Sequence, residues 1–271
     1  MNSQRFIVQT LQEASKIANE KFGKVTGTIK EDNSNSIVTE ADLAVGRLIV
    51  KQIQKEYPDY NIIDEEAGVI DNGSEFTWVI DPIDGTSNFA QGIPTYGVMI
   101  GLLKRDMPYA GGIALPTFSQ IFTAEKDSGA FLNDKKLSVT KETNLLNVLV
   151  TYHIDGHQEK PEITRDEVKI LGEIILRIRN LRIFETCFDS ILVAQGKVGG
   201  YMNRTSKIWD NVAPHIIIEE AGGIYTDFYG KPVDYSQPLT RAKQNFTVCA
   251  APLILHKQLQ EIIHRFPHLR E

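Results

Sequence analysis

The sequence predicts a layered protein of the α/β class, with an α+β N-terminal half and an α/β C-terminal half. Two observations predict this fold class. Up to about residue 142, two amphipathic helical segments precede a series of short apolar runs separated by turn residues, which is typical of helices packed on an antiparallel sheet. Beyond residue 142, helical and strand-like segments alternate, as they do in α/β folds. We therefore expect an N-terminal subdomain at residues 1–142 and a C-terminal subdomain at residues 143–271. No low-complexity linker separates the two, so they should pack together.

The elements of the N-terminal half follow from local patterns. Apolar residues recur at helical spacing in 6–18, and a second helix is expected from Thr39 to about Tyr57, where Pro58 stops it. The polar stretch 27–36 between these helices is interpreted as a loop that can fold over a binding site. Strands are expected at 61–63, 76–80, 96–103, 109–114 and 120–124, with a hairpin of 129–132 and 136–139 around Asn133-Asp134.

The C-terminal half shows the alternation that defines its class. Apolar β-rich runs of three to five residues are separated by segments with helical periodicity. Strands are expected at 148–151, 181–184, 199–202, 224–226 and 246–250, and helices at 163–178, 188–195, 209–221 and 253–266.

Composition excludes several function classes. The 271-residue chain has a net charge of −6 and no long basic run, which disfavours nucleic-acid binding. No apolar stretch is long enough for a membrane span, and the N-terminus does not have the pattern of a signal peptide. Cys187 and Cys249 are far apart and predict neither a disulfide framework nor a zinc site. These features predict a cytoplasmic protein that binds no nucleic acid and no membrane.

The most informative segment is WVIDPIDGTSNF, residues 78–89. An apolar strand ends at Asp81, Pro82 fixes the backbone, and Asp84 follows before Gly85 and Thr86. Two carboxylates three residues apart on a rigid turn can converge on a hard cation, which prefers oxygen ligands. Backbone N–H groups of Gly85 and Thr86, if they open a helix, would face a phosphate. The segment therefore predicts a site for metal and phosphate.

Other acidic residues are ambiguous when taken alone. Glu65 lies in an acidic run that is typical of a solvated surface, and Asp42 fits a helix capping box that begins at Thr39. Asp210 opens a helix, where an acidic cap is common. Each of the three is also a competent oxygen ligand or hydrogen-bond acceptor.

Together these segments resemble the inositol monophosphatase family of magnesium-dependent, lithium-sensitive phosphatases. The matching motifs cover nearly the whole chain and occur in the family's order: 38–42, 63–66, 78–89, 209–210 and 220–223. The resemblance implies a layered αβαβα sandwich of the sugar-phosphatase type and a homodimer.

The resemblance also implies a role for each matching residue. Two or three Mg²⁺ ions would be held by Glu65, Asp81, the Ile83 carbonyl, Asp84 and Asp210, and lithium would inhibit by competing for one of these positions. Asp84, Gly85, Thr86 and Asp210 would contact the substrate, with the backbone N–H groups of Gly85 and Thr86 donating to its phosphate. Thr86, hydrogen-bonded to Asp42, would orient and deprotonate the attacking water.

The chain departs from the family on the substrate wall. Seven residues before Asp210 the family usually has a glutamate, and this chain has Asn203. The family's run of small residues aligns with Phe184, Glu185, Thr186 and Cys187. We therefore expect Asn203 and Glu185 to bind the substrate and Asn203 to permit a broader choice. His153 and His157 are not expected to bind a metal.

The resemblance implies hydrolysis of inositol 1-phosphate or a similar small phosphate monoester. Two alternatives remain open on the sequence. The first is a phosphatase acting mainly on the 2′-phosphate of NADP(H) or on another nucleotide or sugar phosphate. The second is a non-catalytic regulatory or binding protein that has the same fold.

Overall fold

The structure is a computed structural model that describes residues 3–30 and 33–266. The N-terminal half begins with two long helices and continues as a sheet-rich segment. Its elements are α1 (Ser3–Lys21), β1 (Thr28–Lys30), β2 (Asn33–Val38), α2 (Glu40–Glu56), β3 (Asn61–Asp64), β4 (Gly68–Ile70), β5 (Phe76–Asp84), α3 (Thr86–Ala90), β6 (Gly97–Lys104), β7 (Met107–Leu115), β8 (Gln120–Glu125), β9 (Gly129–Leu132) and β10 (Lys135–Lys136).

The C-terminal half alternates strands and helices as predicted. Its elements are β11 (Leu149–His153), α4 (Pro161–Ile175), β12 (Asn180–Arg182), α5 (Cys187–Ala194), β13 (Tyr201–Ser206), α6 (Ile208–Glu220), β14 (Ile224–Thr226), β15 (Phe246–Ala251) and α7 (Leu253–Ile263). Among the described residues, no helix combines the length and the apolar character that crossing a membrane requires.

Two large sheets organise most of these elements, and β1 and β2 form a separate two-stranded sheet. The larger has the strand order β10-β9-β8-β7-β6-β5-β3-β4 and is antiparallel except between β3 and β5. The smaller has the order β12-β11-β13-β15-β14, in which β11 runs parallel to both of its neighbours. Every strand of the larger sheet precedes residue 142 and every strand of the smaller follows it. The division into subdomains at residue 142 itself stays a prediction.

Apolar side chains of the larger sheet alternate between two cores. Val98, Ile100 and Leu102 of β6 pack in the core formed with α1 and α2, whereas Met99 packs in the core that contains α5 and α6. This is the period of two expected for a strand buried on both faces. A third core joins the smaller sheet to α4 and α7. The layers are therefore helices, sheet, helices, sheet and helices, which confirms the predicted αβαβα sandwich.

Helix α6 lies unusually close to the larger sheet. A Cβ atom added at Gly111 would be 2.8 Å from the Cα of Ala213, and one added at Gly101 would be 2.6 Å from Val212 Cγ1. The two glycines therefore let the α6 backbone approach the sheet. This contact fixes the start of α6, and hence Asp210, relative to strand β5.

The stretch predicted as a polar loop contains strands. Thr28 pairs with Val38 and Ile29 with Ile37 in an antiparallel two-stranded ribbon, so the loop interpretation of 27–36 was wrong for the described part of the stretch. Residues 31 and 32 of that loop lie outside the described residues. The alternating apolar residues are few and stand among polar neighbours, which is why the pattern was not interpreted as strand. Strand β4 was missed as well.

Candidate active site

Strands β3 and β5 bring the first two acidic residues together. The strands are parallel, with Asp64 paired to Ile80, so their carboxyl ends lie at the same edge of the sheet. The next residue, Glu65, donates its backbone N–H to the Ile80 carbonyl at 3.2 Å. Asp81 follows Ile80 and is 2% exposed. Glu65 and Asp81 therefore face one cavity.

The third and fourth acids come from a turn and a helix start. Between Asp81 and Asp84 the pairing of β5 with β6 shifts register at Pro82, which has no N–H to donate. Asp210 lies in the first turn of α6, where its Oδ2 accepts the backbone N–H of Lys207 at 2.5 Å. One carboxylate oxygen from each of Asp81, Asp84 and Asp210 lies within 4.8 Å of the others. The structure thus brings these three predicted ligands together.

The electrostatics of this cluster favour the binding of a cation. Burial, followed by the nearby charges of Glu65 and Asp84, raises the pKa of Asp81 well above its ordinary value. Burial, then the charges of Asp84 and Glu65, raises the pKa of Asp210 to about 8. Asp81 Oδ1 is buried and has no hydrogen-bond partner among the described residues. Buried carboxylates of this kind are normally paired or bound to metal.

The chemistry of the donor set fits magnesium. Every candidate ligand offers oxygen, and Mg²⁺ prefers oxygen ligands that include carboxylates. The unpartnered Oδ1 of Asp81 is the atom that such an ion would satisfy. The carbonyl oxygen of Ile83, the remaining predicted ligand, lies 2.9 Å from Thr86 Oγ1, and Ile83 also borders the cavity.

Thr86 connects the cavity to the buried Asp42. Its Oγ1 lies 3.0 Å from Asp42 Oδ1, while Asp42 Oδ2 accepts the backbone N–H of Thr39 at 2.8 Å. Asp42 is 1% exposed, and burial raises its pKa against the lowering effect of the bonds from Thr39 and Thr86. Thr86 borders the cavity and Asp42 lies behind it. Capping of α2 and contact with Thr86 are thus simultaneous roles of one carboxylate.

Glycine is required at position 85 both by the backbone conformation and by the lack of space for a side chain. Its φ of 81° lies in the left-handed region that favours glycine, and it caps the short helix α3. A Cβ atom added there would be 2.4 Å from Thr186 Cγ2. The segment before α5 therefore packs directly on the turn that contains Asp84, and the backbone N–H of Cys187 donates to Asp84 Oδ2.

The cavity has a volume of about 400 Å³ and a second wall from the C-terminal half. A larger groove of about 740 Å³ lies between α1 and α2, but the buried carboxylates line the smaller cavity, so chemistry rather than volume identifies the site. The lining contains Ile37, Glu65, Asp81, Ile83, Asp84, Gly85, Thr86, Ser87, Asn88, His153, Asp155, Gly156, His157, Glu185, Thr205, Ser206, Lys207, Trp209 and Asp210.

Glu185 lines the cavity as expected, whereas Asn203 does not. Asn203 is 3% exposed; its Nδ2 donates to the Tyr201 hydroxyl at 3.2 Å, and its Oδ1 accepts the backbone N–H of Thr205 at 2.7 Å. Both polar atoms are therefore used within β13, whose pairing with β15 is irregular at this point. In this conformation Asn203 cannot contact a substrate directly, so the expectation that it forms part of the substrate wall is corrected.

Sequence reasoning missed the polar residues after β11. His153 and Asp155 line the cavity, with Nε2 and Oδ1 3.7 Å apart, and His157 Nε2 lies 3.5 Å from Thr205 Oγ1. Burial lowers the pKa of His153, but the bond to Asp155 and the charges of Asp155, Glu185 and Asp84 outweigh it and raise the pKa to about 9. The position of these residues at the end of a strand was the available signal. Because β11 is parallel to β13, both strands end at the edge that faces the site.

Comparison with known proteins identifies the relatives of this chain. Residues 2–265 match the family model described as the inositol monophosphatase family. A fructose-1,6-bisphosphatase/inositol-1-monophosphatase of Aquifex aeolicus is 32% identical over 222 residues, which cover 81% of this chain and 83% of the relative. A Nus factor SuhB of Pasteurella multocida is 32% identical over 232 residues, 85% and 84% of the two chains. The solved structure of an IMPase of Thermotoga maritima superposes with a TM-score of 0.86 at 26% identity, covering 99% of both chains.

Proposed function

The chain belongs to the inositol monophosphatase family, and from that premise we propose that it is a magnesium-dependent phosphatase that hydrolyses inositol 1-phosphate or a similar small phosphate monoester. The observation that carries the proposal is the convergence of Asp81, Asp84 and Asp210 on one point beside the Gly85-Thr86 turn, with Asp81 Oδ1 unpartnered. A scaffold without catalytic function would not need to retain such a costly arrangement of buried acids.

The residues that would hold magnesium are Glu65, Asp81, Asp84, Asp210 and the carbonyl of Ile83. Two such ions, when bound, would activate water and offset the negative charge that develops on the phosphoryl group and the leaving oxygen. Ionisation of the carboxylates is a condition for this binding. Their raised pKa values therefore predict that metal binding releases protons.

Thr86 and Asp42 would accept the proton that the attacking water loses. When Thr86 Oγ1 donates to Asp42 Oδ1, the lone pairs of its oxygen are free to accept a hydrogen bond from water in the cavity. The raised pKa of Asp42 makes this carboxylate a stronger acceptor for a proton passed through Thr86. The backbone N–H groups of Gly85 and Thr86 would hold the phosphate in front of this pair.

Three further features belong to the same proposal. The homodimer and the lithium inhibition come from the family, and the cytoplasmic location comes from the composition. The protein would form a homodimer, act in the cytoplasm, and be inhibited by lithium in competition with one magnesium ion. The buried and free state of Cys187 and Cys249 agrees with a reducing compartment.

The function is tested by phosphate release from a panel of monoesters with and without magnesium, using wild type, Thr86→Ala and Thr86→Ser. We expect magnesium-dependent release in the wild type and a loss of about 10²- to 10³-fold in kcat for Thr86→Ala, because one proton-transfer group is removed. Thr86→Ser keeps the hydroxyl and should retain activity within about tenfold.

A second measurement separates catalysis from metal binding. Magnesium should raise the melting temperature of all three proteins, because neither substitution touches a carboxylate ligand. Absence of phosphate release from every monoester in the presence of magnesium would overturn the proposed function. Equal activity of Thr86→Ala and wild type would overturn only the proposed role of Thr86 and would leave the proposed function standing.

A further inference from the structure

Glu185 occupies an unusual position on the wall of the cavity. It is an exposed side chain that shares the lining with Asp84 and Thr86, and its backbone has a φ of 58° in the left-handed region. A residue with a Cβ atom adopts this region at an energetic cost, and such conformations persist only where the surrounding structure enforces them. The structure therefore holds an acidic residue where glycine would be conformationally preferred.

Contacts from both halves of the molecule fix this backbone. Asp189 Oδ2 accepts the N–H groups of Phe184 at 3.2 Å and Glu185 at 2.7 Å, and Asp189 is completely buried. Asn88 Nδ2, from the helix that follows the Asp84 turn, donates to the Phe184 carbonyl at 3.2 Å. Thr186 lies against Gly85. The Glu185 backbone is thus held in a defined position relative to the turn that would bind phosphate.

Acidic side chains outnumber basic ones in the cavity lining around Glu185. His153 Nε2 lies 3.7 Å from Asp155 Oδ1, so this imidazole is already paired with a carboxylate of the lining. The lysine of the lining, Lys207, donates from Nζ to the Lys243 carbonyl at 3.0 Å. This part of the wall consequently offers carboxylate acceptors for hydroxyl groups and repels negative charge.

We propose that Glu185 is a specificity-determining residue that favours phosphate monoesters of uncharged polyols and discriminates against substrates with a second phosphate. The inference rests on the proposed phosphatase function and narrows its substrate class. From the sequence, Asn203 predicted a broad substrate range. The inference is the opposite, a narrow range, because the acidic side chain of Glu185 faces the cavity and Asn203 does not.

The test compares inositol 1-phosphate with fructose 1,6-bisphosphate, with magnesium present, in wild type, Glu185→Gly and Glu185→Gln. Glu185→Gly removes the carboxylate and relieves the left-handed backbone, so folding should not be impaired. Gln237→Gly is the matched control, because Gln237 is also exposed, has a φ of 52°, and lies away from the cavity.

We expect kcat/KM for the bisphosphate, relative to the monophosphate, to rise about tenfold in both Glu185 variants, mainly through KM. The rise should shrink as ionic strength increases, because exposed charges are screened. Gln237→Gly should leave the ratio unchanged. A ratio that is the same in wild type and both Glu185 variants would overturn the inference while the phosphatase function stands. Wild type that releases no phosphate from any monoester in the panel would overturn the function itself.

Discussion

Replacement of Asp210 by asparagine should have opposite effects on the metal-free and the magnesium-bound protein. The amide keeps the size of the side chain and the oxygen that accepts the Lys207 N–H, so the start of α6 is retained. It removes one of three carboxylates whose oxygens lie within 4.8 Å of each other. Metal-free protein should gain stability because repulsion falls, and the magnesium response should weaken because a ligand is lost.

The magnitude follows from the pKa of Asp210, which burial and the charges of Asp84 and Glu65 raise from 3.8 to about 8. A folded-state pKa above the unfolded value gives stability that is fully present below pH 3.8 and is lost as pH rises to about 8. At about 1.4 kcal/mol per unit, an isolated group would account for about 6 kcal/mol. Because neighbouring acids share protons with Asp210, we expect about 2–3 kcal/mol, or roughly 5–8 °C in melting temperature.

The assay is thermal unfolding at pH 5 and pH 8, in EDTA and in excess magnesium. In EDTA the variant should have a higher melting temperature than wild type, and the difference should be larger at pH 8 than at pH 5. Magnesium at about 100 times its dissociation constant should stabilise wild type by about 2.7 kcal/mol and the variant by clearly less. Asp59→Asn is the control, since Asp59 is exposed and precedes β3 at the end opposite Glu65. A variant that melts below wild type in EDTA at pH 8, or that keeps the full magnesium shift, would refute the reasoning.

Two further predictions concern buried polar residues near the site. Asn203→Glu places a longer, charged side chain at a position that is 3% exposed, and should lower the free energy of unfolding by about 2–4 kcal/mol in urea. Asn203→Asp changes only the charge and Asn203→Gln only the length, so these two variants separate the two effects. An Asn203→Glu protein as stable as wild type would contradict the buried placement. Burial raises the pKa of Asp189 to about 7, so its contribution to stability is lost between pH 3.8 and about 7. The stability of Asp189→Asn relative to wild type should therefore increase by up to about 4 kcal/mol over that range, and a difference that does not vary with pH would show that Asp189 is not buried as a neutral acid.

The acidic cluster could be predicted from the sequence because its parts are encoded locally. A buried strand, a proline-fixed turn and two acids three residues apart place Asp81 and Asp84 almost independently of the rest of the fold. Asp42 and Asp210 also have local signals, since each caps a helix, and the structure shows both engaged in capping contacts. Most helices and strands were predicted for the same reason, because periodicity and capping depend on neighbours in the chain.

The substrate wall depended on tertiary structure. Whether Asn203 or Glu185 faces the cavity is decided by the bulge within β13 and by the segment packed on Gly85, neither of which has a local signature. His153 and Asp155 reach the cavity only because β11 and β13 run parallel and end at the same edge. The sequence by itself thus determined the fold class and the acidic side chains that converge at the site. Only the packing of the two halves decided which side chains surround a substrate, because such contacts join residues far apart in the chain whose directions are set by strand register and backbone conformation.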